Sequence, residues 1–70
     1  MDKVYKVVIK NPNANNTLGA WQLKVTMDAL EWLEAHDASS YLVNLYMNTT
    51  HVVIVLTDRN TAMMLKLSLI

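Results

Sequence analysis

The sequence predicts a single small α+β domain, a sheet with its helices on one face, and three observations carry that expectation. The stretch from Tyr41 to Thr57 reads as a hairpin: YLVNLYM and VVIVLT are rich in β-branched and aromatic residues, and turn formers fill Asn48-Thr49-Thr50-His51 between them. Val4 to Lys10 alternates, with Tyr5, Val7 and Ile9 on one side and Val4, Lys6, Val8 and Lys10 on the other, which is the period of a strand. Ala29 to Ala35 (ALEWLEA) is a strong helix-forming run.

Taken in order, the first strand stops at Asn11-Pro12. NPNANNTLG then leads to Gly19 as an exposed loop whose Asn side chains bond their own backbone. Long loops in compact domains are often functional, so Asn11, Asn13, Asn15 and Asn16 are candidate recognition residues. Between residues 18 and 37 two periods compete. Leu18, Trp21, Val25, Ala29, Trp32 and Leu33 fit one face of a long helix, yet Trp21, Leu23, Val25 and Met27 alternate with Gln22, Lys24, Thr26 and Asp28. The preferred reading is a strand at residues 20–26 followed by a helix capped by Thr26 or Asp28. Ala29, Leu30, Trp32 and Leu33 would hold that helix to the sheet, with Trp32 as the largest anchor.

Val52 to Leu56 is an unbroken apolar run, too short to cross a membrane and too β-branched for a comfortable helix, so it reads as an interior strand covered on both faces. Asp58-Arg59-Asn60-Thr61 opens a short helix that Ala62, Met63 and Met64 continue, the methionines as adaptable core filler. Leu65, Leu67 and Leu69 alternate with Lys66, Ser68 and Ile70, which predicts a closing strand; a plain helix from residue 59 to residue 70 is the alternative. The expected order is ββαββαβ, an antiparallel or mixed sheet of four or five strands with one long and one short helix. If residues 20–26 are helical it becomes a ferredoxin-like βαββαβ.

A chain of 70 residues makes one domain, residues 1–70, at a size where the free-standing fold is marginal. It contains no cysteine, so disulfides and thiolate metal sites are excluded and oligomerisation is the natural supplement. The apolar fraction, 53%, is high enough to argue against disorder. Six basic residues balance six acidic ones, which removes the electrostatic footprint of most nucleic-acid or anionic-membrane binders. MDKVYKVVIK lacks the continuous apolar core of a signal peptide, so a cytoplasmic location is expected. The sequons at Asn15 and Asn48 then have no route to glycosylation.

The residues of catalysis are scattered. His36 and His51 sit on unrelated elements at no known ligand spacing, and the triad types in His36-Asp37-Ala38-Ser39-Ser40 are neighbours that cannot point at one another. Gly19 is the only glycine, so there is no phosphate-cradling loop. No enzyme activity, cofactor or metal is expected. Tyr5, Tyr41, Tyr46, Trp21 and Trp32 with Lys3, Lys6, Lys10 and Lys24 allow base stacking, but the central strand lacks alternating basic and aromatic residues, which makes nucleic acid the weaker reading. What stands out is the sheet. If one face takes Tyr5, Val7, Ile9, Val43, Leu45, Ile54 and Leu56, alternation assigns Val8, Leu42, Tyr46, Val53 and Val55 to the other, an apolar patch of the kind that marks an interface.

Ala29 to His36 (ALEWLEAH), a hydrophobic strand, and then Thr57 to Leu67 (TDRNTAMMLKL) resemble small uncharacterised proteins of tailed bacteriophages over about half the chain. In those, a strand leads through an acidic turn and a short Ala-Met helix into a Lys-Leu strand, often preceded by Phe, where this chain has Leu65. The resemblance implies a phage or host-cytoplasmic setting and carries over no functional residue. The resulting expectation is a non-enzymatic protein-binding module, a homo-oligomer that occupies a surface of a host or defence protein. The alternatives are a virion structural or decoration protein and a ferredoxin-like domain binding RNA or single-stranded DNA.

Overall fold

The computed structural model describes residues 3–12, 19–48 and 50–70. They build a three-stranded antiparallel sheet and two α-helices in the order β1 (Tyr5–Lys10), α1 (Ala20–Ala35), β2 (Leu42–Met47), β3 (His51–Leu56) and α2 (Arg59–Leu69), with a short 3-10 turn over Ser39–Tyr41 before β2. The α+β class and the single layer of helices agree with the sequence. A fourth and a fifth strand are not present among the described residues.

β3 is the central strand, bonded to β1 on one side and β2 on the other, and each of Val52 to Leu56 is buried. Its register fixes the two faces. Val52, Ile54 and Leu56 join Val7 and Ile9 of β1 in a core with Val25, Ala29 and Leu33 of α1 and Ala62 and Leu65 of α2. Both helices therefore cover the same face. The two-layer construction agrees with an extent of 17 Å along the shortest axis.

The hairpin turn lies where the sequence placed it. Asn48 Oδ1 accepts from the Thr50 and His51 N–H groups, each at 2.8 Å, and the Asn48 N–H donates to the His51 carbonyl at 2.9 Å, so one Asn side chain organises the reversal. Asn11 N–H extends the β1–β3 ladder by donating to the Thr50 carbonyl at 2.7 Å.

Both expected extra strands are helical instead. Residues 20–26 are the first turns of α1: Gly19, at φ 99°, starts the helix, and Gln22 Oε1 accepts its N–H at 2.9 Å. The end of α1 is equally well specified. Ala38 N–H reaches the Leu33 carbonyl and Asp37 N–H the Glu34 carbonyl, with Asp37 at φ 53°, the left-handed C-terminal cap in which Asp substitutes for Gly. Residues 65–69 continue α2, which starts where Asp58 Oδ2 accepts the Thr61 N–H at 2.9 Å and the Thr61 hydroxyl at 2.7 Å.

The alternations that suggested strands have one physical source. In α1, Val25, Ala29 and Leu33 point into the core while Leu23, Met27 and Leu30 point out. In α2, Leu65 is fully buried and Leu69 packs partly on the core, while Leu67 is 69% exposed. A helix with apolar residues on both its inner and outer sides reproduces a period of two over short windows. Leu30, Met63 and Met64, expected inside, are consequently on the surface. Leu33 rather than the half-buried Trp32 is the fully enclosed anchor of α1.

Candidate functional site

Among the described residues no element lies over the face of the sheet opposite the helices. Cross-strand register makes that face three rows: Lys6, Val55 and Asn44; Val8, Val53 and Tyr46; Lys10 and His51. The middle row is apolar from edge to edge, and basic or amide side chains stand on either side of it. No carboxylate belongs to these rows.

Of the candidate interface residues, Val8, Tyr46, Val53 and Val55 are brought together here. Their accessibilities differ: Val8 and Tyr46 are 42% and 44% exposed, whereas Val53 and Val55, on the central strand, retain only 8% and 7%. This burial agrees with the expectation of an interior strand: β3 lies between β1 and β2, and each of Val52 to Leu56 is buried. A molecule resting on this face would touch Val8, Tyr46 and the lysine stems first.

Leu42 does not belong to the patch. The register shifts between Leu42 and Asn44, so that Leu42 pairs with Leu56, packs partly on the core and leaves Val43 as the extra residue, 57% exposed. That bulge exchanges the faces the alternation had assigned to Leu42 and Val43. Asn11 is corrected as well: it is buried and bonded to the hairpin, so it is part of the sheet's end rather than of an exposed loop. Asn13, Asn15 and Asn16 lie outside the described residues.

The histidines take local structural parts. His36 stacks on Trp32 with ring centroids 4.0 Å apart, and its Nδ1 lies 2.8 Å from the Trp32 carbonyl oxygen, which it faces as donor when protonated there. His51 Nδ1 lies 2.7 Å from Thr50 Oγ1. Among the described residues no group of three His, Asp or Glu side chains could hold a metal ion. A concavity of about 470 Å³ forms a groove between α1 and α2 with Trp21 and Trp32 at its walls. Its charged lining, Lys24 and Asp28, is an exposed pair with 3.7 Å between Nζ and Oδ2, and it presents no set of convergent donors.

The sequence reading missed a second surface. Leu23, Met27 and Leu30 form a stripe along the outside of α1, with Glu31 and Glu34 beside its C-terminal half, and Met63, Leu67 and Ile70 do the same on α2. The signal was present in the residues that satisfied both periods at once. No described helix is long and apolar enough to cross a membrane. No protein-family model matches the chain, and no curated protein or solved structure is significantly similar to it.

Proposed function

We propose that this chain is a non-enzymatic protein-binding module that works by occupancy, using the helix-free face of its sheet to cover an apolar surface on another protein molecule. The observation that carries the reading is the row Val8, Val53 and Tyr46, an apolar band across all three strands on a face that the two helices leave alone. Such a band, rimmed by Lys6, Lys10 and Asn44, has the composition of an interface centre with a polar edge. A host-cytoplasmic setting, as in the phage resemblance, belongs to the same proposal. The motif residues behind that resemblance take structural parts: Trp32 packs on the core and Asp58 caps α2.

Nucleic-acid binding is less well supported by this geometry. Tyr5, Trp21 and Trp32 pack partly against the core on the helix-covered side, which leaves Tyr46 as the aromatic residue on the helix-free face. The test of the proposal is capture of partners from source cells by immobilised wild-type and Tyr46→Glu protein. Tyr46 is exposed, so the substitution should change stability by no more than about 0.5 kcal/mol, while an unpaired charge pressed into an interface costs about 2 to 5 kcal/mol. A protein held by wild type and lost by the folded variant supports the reading; equal retention overturns it.

A further inference from the structure

The net charge of zero conceals a segregation of charge between two of the uncovered apolar surfaces, the sheet face and the outside of α1. On the sheet face, Lys6 and Lys10 flank the apolar row and no carboxylate accompanies them. On the outside of α1, the stripe of Leu23, Met27 and Leu30 runs into Glu31 and Glu34; the basic residue of this helix, Lys24, is taken up by Asp28 one turn further on. One surface is apolar and cationic, the other apolar and anionic. Both are apolar in a molecule too small to bury much of its surface alone.

We propose that the outer side of α1 in one copy of this chain seats on the helix-free sheet face of a second copy, a head-to-tail contact that adds a helical layer to a face over which no described element lies. The proposal rests on the reading of the sheet face as a docking surface and names its occupant. The dimensions agree. Three strands spaced about 4.8 Å apart and six residues long offer a platform roughly 10 Å between outer strand axes and 20 Å long. A helix about 10 Å across, rising about 1.5 Å per residue, spans some 16 Å from Leu23 to Glu34, so the stripe and its acidic end fit within the platform.

Charge also selects the arrangement. A two-fold dimer made sheet to sheet would gather Lys6 and Lys10 of both copies into one interface, and one made α1 to α1 would gather Glu31 and Glu34. Like charges brought together in an interface are repulsive, so both symmetric pairings are disfavoured and the unlike pairing is favoured. A contact between two different patches leaves one of each unused at the ends, so it propagates into a ring or an open chain. The platform is smaller than the roughly 800 Å² per partner of a standard stable interface, so each contact is weak and assembly depends on concentration.

The test uses the purified full chain alone, followed by light scattering and sedimentation at rising concentration in low salt. The average mass should climb with concentration and fall when salt is added. The double variants Lys6→Glu with Lys10→Glu, and Glu31→Lys with Glu34→Lys, should each weaken association by about tenfold or more. Mixed with each other they should associate again, because a contact between the two different variants joins opposite charges. Restoration on mixing also establishes that both variants are folded, all four positions being exposed. A wild-type chain that stays monomeric at every concentration overturns the proposal, as does undiminished self-association of either double variant. If a monomeric wild type still captures a cellular protein that Tyr46→Glu loses, the head-to-tail contact falls while the docking function of the face stands.

Discussion

Single side chains fix the joints of this fold, and Gln22 does so at two of them. It is buried, its Oε1 accepts the Gly19 N–H at the start of α1, and its Nε2 donates to the Asn48 carbonyl at the hairpin turn, 3.0 Å away. Gln22→Ala should therefore cost about 1 to 3 kcal/mol in urea unfolding, since it leaves a carbonyl and an amide without their partner. Thr26, one turn later, is the opposite case. Its buried hydroxyl makes no hydrogen bond among the described residues, and Thr26→Val should be neutral or stabilising by about 1 kcal/mol in the same measurement. Asp58 supplies a pH dependence. Its bond from the Thr61 hydroxyl, and next the Thr61 N–H, hold its pKa below the ordinary aspartate value, against a smaller opposing effect of burial. Because the folded-state pKa is the lower one, the stabilisation is intact above the unfolded-chain value of about 3.9 and is lost as pH falls through the folded value. Asp58→Asn should flatten that acid limb of the unfolding curve and leave its slope at neutral pH unchanged. At this scale the sequence was only partly legible. The Asp58 cap was readable from a polar residue before a helical run, whereas the buried role of Asn11 and the bulge at Val43 depend on pairing with β3, which adjacent residues do not encode.

The strands were legible whether only one face is apolar or both are. β1 and the β2–β3 hairpin follow from alternation and from the turn residues between Met47 and His51, and β3 was recognisable as central from its unbroken run of apolar residues. The helices were harder because each carries an outward apolar stripe, and residues 20–26 and 65–69 fitted a strand as well as a helix. That double periodicity separates two leucines three residues apart. Leu33→Ala should cost about 2 to 5 kcal/mol because its side chain is fully enclosed, while Leu30→Ala, on the outer stripe, should stay within about 0.5 kcal/mol for the dilute chain. Denaturant unfolding of the two variants under identical conditions checks this; equal losses would mean that α1 is rotated from the orientation described.

For the whole molecule, the candidate site was legible as a surplus of apolar strand and not as a set of accessible residues. Alternation found Val8, Tyr46, Val53 and Val55 on one face, but Val53 and Val55 are shielded within the sheet, and Leu42 is turned to the core by the bulge. The exposed part is a narrower band of Val8 and Tyr46 between lysines. Its counterpart, the outside of α1, was hidden in the same ambiguity that made the helix hard to assign. Among the described residues, two helices on one face of a three-stranded sheet thus leave an apolar face without a second layer, and that face is the basis of the proposed docking function. The most direct check is a residue-resolved NMR concentration series on the isotope-labelled chain. Resonances of Val8, Asn44 and Tyr46 should move progressively with concentration, together with those of Leu23, Met27 and Leu30; spectra that move only at Met63, Leu67 and Ile70, or not at all, would contradict the seating of α1 on that face.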